Sequence, residues 1–537
     1  MQQQARSAAR ITVAMYGISI LVGALLGLGM ASLQTPTLPR QSIRAAPLPT
    51  VLANQATAVP TATIRPDNPT LLENQQTGSN KWQLNLAGFK AATDAEQQIA
   101  GYASSTSANK GEQITFYITV TPVQTYTIDI YRIGWYNGRG GRRLQHLDPQ
   151  QGTHQSACPP DPGTGLIACS WTPSYTLNIP TNWTSGIYLA LLTNAHNFQN
   201  YIVFVVRDDA RKADLLYQQS VTTYQAYNNY PDDGKTGKSL YNFNSYGPQT
   251  ISREARAVKV SFDRPYNYGA GQFMNWEINF VRWLERTGYD VAYSTDVDTH
   301  ANGQRLLTYK GFLAVGHDEY WSKEMYDSIE AARNNGVHLG FFSADDASWQ
   351  VRFEPSASGV PNRVMVCYKD ASIDPVQGPT TTVEWRDAKV NRAEQSLIGV
   401  QYTSQLTNSE RLKNNAPLVV LNSSHWVYAG TNLKDGDSIP NLVGYEADRS
   451  MPDFPNPLNK SFTILSKSPF TNTSNKPDFS NTVIYQAPSG AWVFAAGTIA
   501  WSWGLDDYND RKAVDPRIQR ITENILDRFI SEGGSNE

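Results

Sequence analysis

Residues 311–316, Gly-Phe-Leu-Ala-Val-Gly, form an apolar run of the length expected for a buried strand. Ser322 to Asn334 follow with helical spacing and with a serine at the N-cap position. A second apolar run, 337–342, comes directly after that helix. A strand, a helix and a strand in this order predict a βαβ unit in a largely parallel sheet. Ligands bind beyond the carboxyl ends of the strands in such sheets, so we expect a site just after Gly316.

The same alternation continues on both sides of this unit. Apolar runs at 257–262 and 290–293 flank an amphipathic helical pattern at 273–286, and the chain ends in a helical pattern at 516–531. We therefore predict an α/β domain with a largely parallel sheet over residues 211–537.

The preceding residues follow a different pattern. Between 82 and 207, short alternating strands are separated by turn residues, which is typical of an antiparallel, immunoglobulin-like sandwich. We predict this all-β domain over 79–210. Cys158 and Cys169 bracket a turn-rich loop and are expected to form a disulfide outside the cytoplasm, whereas Cys367 is expected to be a buried thiol.

The amino-terminal residues predict membrane targeting. Residues 11–33 carry no charge and follow Arg6 and Arg10, and a helix of this length spans the roughly 30 Å hydrocarbon core. Residues 1–35 are interpreted as a transmembrane anchor, with a cleaved signal as the alternative. The preceding arginines favour export of the remainder to the cell surface. Residues 36–78 are rich in Pro, Thr, Ala and Gln and predict a flexible stalk.

The composition excludes one class of partner. The net charge is −3 and 17% of the residues are charged, whereas a nucleic-acid-binding protein needs a basic stripe. Aromatic residues make up 11% of the chain, which suits sandwiches, sugar-binding surfaces and aromatic-lined sites equally. The oligomeric state stays open.

Three consecutive ionisable residues, His317, Asp318 and Glu319, follow the predicted strand that ends at Gly316. Because side chains alternate along an extended chain, His317 and Glu319 point the same way. Together they could bind a metal or act as base and acid. The alternative is a solvated loop with a carboxylate favoured by the dipole of the following helix.

Two further segments are candidates. Asp345 and Asp346 end the next predicted strand, so they either lie near His317 and serve a metal or cap a turn. Residues 224–230 form a tyrosine-rich segment, interpreted as a loop for packing or sugar stacking. No GxSxG, HExxH or activated-cysteine motif indicates a nucleophile.

Six motifs occur in a fixed order: 185–189 Ser-Gly-Ile-Tyr-Leu, 224–228 Tyr-Gln-Ala-Tyr-Asn, 316–321 Gly-His-Asp-Glu-Tyr-Trp, 341–345 Phe-Phe-Ser-Ala-Asp, 444–446 Gly-Tyr-Glu and 501–505 Trp-Ser-Trp-Gly-Leu. As a set they resemble the N,N-dimethylformamidase large (β) subunit family. The resemblance begins near Ile128 and continues to the C-terminus.

The resemblance implies a mononuclear iron centre. The characterised enzyme of that family hydrolyses a small formamide with a ferric iron held by two tyrosines and one glutamate. The matching positions are Tyr188, Tyr227 and Glu319. His317 matches a histidine close to the iron, and Glu446 resembles a carboxylate that takes the proton of the attacking water. Ferric iron favours phenolate and carboxylate oxygen, so the ligand types are chemically consistent.

One position departs from the family. Asp345 stands where the family commonly has an asparagine that can donate a hydrogen bond to the substrate carbonyl, and an ionised aspartate cannot donate. The characterised enzyme also has a small partner subunit and works in the cytoplasm, whereas this chain is expected to be exported. The resemblance therefore implies a different substrate.

Three functions follow as hypotheses. The first is an iron-dependent hydrolase of C–N bonds in small non-peptide amides, with His317, Asp345 and Glu446 as its catalytic residues. The second is a surface protein that binds or cleaves glycans, for which Glu384, Glu446 and Asp506 supply carboxylates. The third is a non-catalytic envelope protein on the same fold.

Overall fold

A computed structural model describes residues 67–267, 269–407, 415–509 and 512–532. The predicted membrane segment, 11–33, lies outside these residues. Among the described residues, no helix combines the length and the apolar character needed to cross a bilayer.

The described chain begins with helix α1 (Pro69–Asn74) and then forms a two-sheet sandwich. Its strands are β1 (Lys90–Ala91), β2 (Ile99–Ala103), β3 (Ser107–Asn109), β4 (Gln113–Val120), β5 (Thr125–Ile133), β6 (Gly141–Gln151), β7 (Tyr175–Asn178), β8 (Gly186–Asn194) and β9 (Phe198–Arg207). One sheet has the order β1-β9-β8-β5-β6, with β3 also pairing with β9, and the other has the order β2-β4-β7. Alternate residues of both sheets fill a shared apolar core between them.

After Arg207 the chain changes to strands that alternate with helices. The strands are β10 (Leu215–Gln219), β11 (Lys259–Ser261), β12 (Val291–Thr295), β13 (Gly311–His317), β14 (Tyr320–Ser322), β15 (His338–Ala344), β16 (Trp349–Glu354), β17 (Val364–Val366), β18 (Gln401–Gln405), β19 (Ala416–Val419), β20 (Ser438–Val443), β21 (Glu446–Arg449), β22 (Ser461–Ile464), β23 (Ser468–Thr471), β24 (Pro477–Ser480), β25 (Val483–Gln486) and β26 (Trp492–Ala495). The helices are α2 (Val221–Tyr227), α3 (Phe273–Trp276), α4 (Ile278–Thr287), α5 (Asp296–Asn302), α6 (Lys323–Asn334), α7 (Gln395–Ile398) and α8 (Pro516–Glu532).

The central sheet of this second part has the order β12-β10-β13-β15-β26-β25-β22. Its strands from β12 to β26 run parallel, whereas β25 and β22 add an antiparallel edge. The largely parallel sheet predicted from the sequence is therefore present, within a protein that is richer in strands than in helices. A smaller sheet has the order β11-β17-β16-β14, and its strand β14 follows β13 directly in the chain.

Other predicted features are also present. Ser322 caps α6 and accepts a hydrogen bond from the backbone N–H of Met325. Cys158 and Cys169 form the predicted disulfide, and Cys367 is a buried free thiol. Burial raises the pKa of the Cys367 thiol to about 11, so this thiol is protonated at neutral pH.

The sandwich and the parallel sheet share one core. Ile187 and Leu189 of β8 belong to the same buried cluster as Leu215 of β10 and Phe280 of α4. The described residues all fall within a single compact unit, Ala56–Glu537. The architecture changes after Arg207, and the two parts pack against each other through apolar side chains.

The end of the predicted stalk is folded and packed. Asn68 caps α1, and Glu73 and Asn74 of this helix are buried. Asn74 donates a hydrogen bond of 2.7 Å to Glu285 of α4, and Arg142 of β6 pairs with Glu73 at 2.8 Å. The prediction that the stalk is flexible as far as residue 78 is wrong from Asp67 onward. Polar side chains of this segment were expected to be solvated, but they form hydrogen bonds and ion pairs with residues far along the chain.

The tyrosine-rich segment at 224–230 was predicted to be a loop, but it begins inside helix α2. The sequence Val-Thr-Thr-Tyr-Gln-Ala-Tyr lacks strong helix formers. Tertiary packing overrides this weak propensity, because all of its residues from Val221 to Ala226 are buried. The helix brings Tyr227 to the carboxyl edge of the parallel sheet.

The helix predicted at 273–286 is broken into α3 and α4 at Glu277. The Glu277 carboxylate is buried and accepts hydrogen bonds from Tyr217 at 2.7 Å and from Tyr224. Burial raises the pKa of this carboxyl from its ordinary value to about 8.

A pH dependence of stability follows from this pKa. Between about pH 4.5 and about pH 8 the folded protein keeps the Glu277 proton while the unfolded chain releases it, so stability falls as the pH rises. The free energy of unfolding is expected to decrease by up to about 1.4 kcal/mol per pH unit from this group. Glu277→Gln should flatten this decrease in urea unfolding series, whereas the exposed control Glu112→Gln should not. Equal slopes in all three proteins would contradict the assignment.

Candidate metal centre

Several elements place polar side chains at one edge of the parallel sheet. His317 ends β13 and Glu319 follows it, Asp345 follows β15, Tyr227 ends α2, and Glu446 begins β21. His317 and Asp345 are adjacent because Ala344 pairs with His317 across two parallel strands. The structure therefore brings together five of the six site residues predicted from the sequence.

Gly316 makes the close approach at this edge possible. Its φ of 78° lies in the left-handed region, and a Cβ atom would lie 2.6 Å from Cβ of Trp276. Only glycine satisfies both conditions without displacing the helix.

The carboxylate of Glu319 is held by two phenols. Tyr227 donates to Oε2 at 2.8 Å and Tyr241 donates to Oε1 at 2.6 Å, while the two phenol oxygens lie 3.0 Å apart. The two rings stack with centroids 4.5 Å apart. The backbone N–H of Glu319 donates to Thr223 of α2 at 2.9 Å, which fixes the strand end against the helix.

Tyr241 was missed by the sequence analysis. It lies in the irregular segment between α2 and β11, where neither periodicity nor a motif distinguishes it from other tyrosines. Its contacts with Glu319 and Tyr227 are made across long chain separations. A single sequence carries no signal for such a contact.

A buried ammonium lies behind Tyr241. Lys369 donates to the Tyr320 hydroxyl at 2.7 Å, and this hydroxyl donates to Tyr241 at 2.7 Å. The Lys369 ammonium also lies 3.7 Å from the centroid of the Tyr241 ring. Burial lowers the pKa of Lys369, and the charge of Glu319 opposes this shift. A hydrogen-bonded chain therefore connects a cation to the Glu319 carboxylate through two phenols.

His317 lies between several carboxylates. Its Nε2 atom is 3.1 Å from Oε2 of Glu446, 3.2 Å from Oε2 of Glu319 and 4.0 Å from Oδ2 of Asp345. On the other side of the ring, Nδ1 lies 3.0 Å from Oε1 of Gln272. The donor atoms of His317, Asp345 and Glu446 all lie within 4.8 Å of one another and could hold a metal ion.

The electrostatics of the site are dominated by buried carboxylates. Burial raises the pKa of Asp345, and the charges of Glu319 and Glu446 raise it further. Burial would lower the pKa of His317, but the charges of Glu446 and Glu319 outweigh it and raise this pKa. Burial likewise opposes ionisation of Glu319, but the neighbouring His317 outweighs this effect and lowers the pKa of Glu319.

Three further buried acidic residues lie next to the residues of this site. Asp448 accepts a hydrogen bond of 2.9 Å from the backbone N–H of Asp345, and Asp345 has the left-handed φ of 58°. Asp346 accepts from Ser343 at 2.6 Å. Asp318 accepts from Gln218 at 2.9 Å, and burial raises its pKa to about 6. Asp318 and Asp346 therefore satisfy internal partners.

Tyr188 does not belong to this cluster. It lies on β8 and faces the interior of the sandwich, where its ring stacks against Trp183 with centroids 5.2 Å apart. Its hydroxyl donates to the backbone carbonyl of Thr184 at 2.6 Å. The ligand position implied for Tyr188 by the resemblance is not supported by its placement, because residues alternate along β8 and Tyr188 falls on the inner face of the sandwich. Tyr241 lies beside Glu319 and Tyr227 instead.

The carboxylates considered for glycan chemistry are dispersed. Glu384 lies 3.7 Å from Arg386 and its side chain is 44% exposed, whereas Asp506 is buried and pairs with Arg282 at 2.7 Å. Neither contacts Glu446 in the described residues. A glycan partner stays a prediction.

The family model for N,N-dimethylformamidase beta subunit-like, C-terminal proteins matches residues 127–514. The chain belongs to this family. The match begins within β5 of the sandwich and includes every residue of the cluster around Glu319. The family also accounts for the order of the six sequence motifs.

A curated member of this dimethylformamidase-like family, the N,N-dimethylformamidase beta subunit of Paracoccus aminophilus, is 22% identical over 431 residues. The alignment covers 68% of this chain and 55% of the relative, so the chain spans little more than half of that protein's length. A solved cycloisomaltooligosaccharide glucanotransferase from Paenibacillus sp., in complex with cycloisomaltoheptaose, is 9% identical over 60% of this chain and 61% of that chain. Its TM-score of 0.16 is too low to indicate a shared fold.

Proposed function

We propose that the protein is an iron-dependent hydrolase that cleaves C–N bonds in small, non-peptide amides. The observation that carries this proposal is the Glu319 carboxylate, which accepts hydrogen bonds from Tyr227 and Tyr241 beside His317. Membership of the dimethylformamidase-like family supports the reaction class. The identity of the amide is not fixed by this proposal.

The donor atoms fit ferric iron. Phenol and carboxylate oxygens are hard ligands that suit this ion. The oxygen atoms of Tyr227, Tyr241 and Glu319 are 2.6–3.0 Å apart, as expected for neighbouring ligands with bonds of about 2 Å. Burial raises the pKa of both phenols, and a bound cation would offset this effect because it stabilises the phenolate form.

The chain's own residues can manage the protons of amide hydrolysis. Iron, when bound, would polarise the amide carbonyl and lower the pKa of a water molecule. Glu446 is held at Oε1 by a 2.8 Å hydrogen bond from Gln405, so that Oε2 faces the cluster. Oε2 can take the proton that the attacking water releases, and Nε2 of His317, 3.1 Å away, can receive this proton and pass it to the departing amine nitrogen.

We further propose that this reaction takes place outside the cytoplasm, with residues 11–33 as the membrane anchor. The disulfide between Cys158 and Cys169 supports an oxidising compartment. Localisation of a fluorescent fusion, combined with protease accessibility of the intact cells, tests this placement. A protein that is protected from protease in intact cells and released only by lysis would contradict it.

Glu446→Gln is expected to lower amide hydrolysis at least about 100-fold, because the variant keeps the shape of the side chain but cannot accept the water proton. Iron content should remain near that of the unmodified protein, since Glu446 is not among the three proposed iron ligands. The measurement is amine release under saturating amide, with metal analysis of the same sample. Glu384→Gln serves as the control and should keep full activity.

The proposed function itself is tested with the purified full-length chain. Bound metal and the visible absorption spectrum are measured together, and amine release is followed over a panel of small amides. Near-stoichiometric iron with a phenolate-to-iron absorption band, together with hydrolysis of one amide, would support the proposal. A colourless, iron-free protein after anaerobic reconstitution would overturn it.

A further inference from the structure

The surroundings of Nε2 of His317 do not match a hydrogen-bonded imidazole. The carboxylate oxygens of Glu446 and Glu319 lie 3.1 Å and 3.2 Å from Nε2. Nevertheless, neither oxygen lies in the direction required for a hydrogen bond from the ring, and Nε2 has no hydrogen-bond partner among the described residues. His317 is only 1% exposed, so bulk solvent does not reach Nε2.

The same distances match ligands around one metal ion. With metal–ligand bonds of about 2.1 Å, two ligand atoms of one ion lie at most about 4.2 Å apart. Nε2 lies 3.1 Å from Oε2 of Glu446, 3.2 Å from Oε2 of Glu319 and 4.0 Å from Oδ2 of Asp345, so all three separations satisfy this limit.

Neighbouring side chains also orient His317, Glu446 and Asp345. Nδ1 of His317 lies 3.0 Å from Oε1 of Gln272, which favours the tautomer that leaves a lone pair on Nε2. Gln405 holds Oε1 of Glu446, and the hydroxyl of Ser348 donates to Oδ1 of Asp345. In every case the second polar atom of the side chain is engaged, and the remaining atom faces the shared centre.

The donor set also suits a divalent cation. Asp345 and Glu446 place two buried carboxyl groups next to the imidazole of His317. One imidazole nitrogen and two carboxylate oxygens are ligands that zinc and similar divalent metals accept.

We propose that His317, Asp345 and Glu446 form a second cation site, which binds a divalent metal such as Zn²⁺ next to the iron centre and shares Glu319 with it. The site itself stands on its own geometry, whereas its effect on catalysis rests on the proposed function. Zn²⁺ there occupies Nε2 of His317 and Oε2 of Glu446, the atoms assigned above to proton transfer. Binding of Zn²⁺ therefore inhibits amide hydrolysis.

The test is calorimetric titration of the full-length, iron-loaded protein with Zn²⁺, followed by elemental analysis. We expect one zinc per chain in addition to iron. Asp345→Asn, which keeps the side-chain shape but removes the charge, should weaken zinc binding at least about 100-fold, as expected when a direct ligand is lost. Its iron content and phenolate absorption should persist. Asp346→Asn is the matched control, because the neighbouring carboxylate points to Ser343 and should leave zinc binding intact.

The outcomes separate the two proposals. Failure of zinc to bind with one ion per chain would overturn the second site. Unchanged zinc binding in Asp345→Asn and Glu446→Gln would overturn it as well. Zinc that binds only to iron-free protein and is lost in Tyr241→Phe would also overturn it, because the metal would then occupy the phenolate centre. A protein without iron or amidase activity that still binds one zinc through Asp345 would refute the proposed function and support the second site.

Discussion

Tyr241→Phe is expected to remove the phenolate absorption band and to lower amide hydrolysis at least about 100-fold. Loss of a residue that merely orients a metal ligand already costs about 10–100-fold, and Tyr241 is assigned as a ligand itself. Its hydroxyl lies 2.6 Å from Glu319 and 3.0 Å from Tyr227, so its deletion removes one oxygen directly from the proposed ligand set. The measurements are iron content, the visible spectrum and amine release on one preparation.

Tyr188→Phe is the matched control for this experiment. The Tyr188 hydroxyl donates to a backbone carbonyl inside the sandwich, so its removal should cost about 1 kcal/mol of stability. The absorption band and the iron content should be unchanged. Loss of the band in Tyr188→Phe together with its retention in Tyr241→Phe would show that the ligand set implied by resemblance is correct and that Tyr241 is not a ligand.

Arg132→Met is expected to destabilise the protein by about 3–5 kcal/mol, since removing one partner of a buried ion pair leaves an uncompensated charge. Arg132 of β5 and Glu285 of α4 contact each other at 2.7 Å and both side chains are fully buried. Tyr293 and Asn74 also donate to Glu285 at 2.8 Å and 2.7 Å, but neither supplies a positive charge. Urea unfolding followed by fluorescence measures the loss.

Two comparisons decide whether burial is the cause. Arg143→Met removes an arginine whose side chain is 51% exposed and which pairs with Asp129, and it should cost less than about 1 kcal/mol. The double variant Arg132→Met with Glu285→Leu should recover much of the stability, because no unpaired charge then remains. A loss in Arg132→Met no greater than that in Arg143→Met would contradict a buried, interface-stabilising pair.

This ion pair also joins the sandwich to the α/β part of the protein. Arg132 belongs to the sandwich and Glu285 to the α/β part, and α1 adds Asn74 to the same network. The sequence indicated two separate architectures because local periodicity changes near residue 210. The network that joins them consists of single polar residues at separate points in the chain, which no local pattern predicts.

Local chemistry predicted much of the site. His317 and Glu319 lie side by side because residues two apart on an extended chain share a face. Asp345 joins them because parallel neighbouring strands end at the same edge of a sheet. Tyr227 and Glu446 were placed by resemblance to the family, and the structure brings both to the same cluster.

What the sequence determined by itself was therefore the strand, helix and strand around Gly316, the disulfide partners and the strand end at which polar side chains collect, since each depends on residues close together in the chain. Only the tertiary structure decided which second tyrosine reaches Glu319. Tyr188 is turned into the sandwich core by the alternation of β8, whereas Tyr241 is carried to the site by an irregular segment. Contacts of that kind depend on how segments that are far apart in the sequence pack together. The free energy that stabilises them is spread over many residues, so no local sequence pattern predicts them.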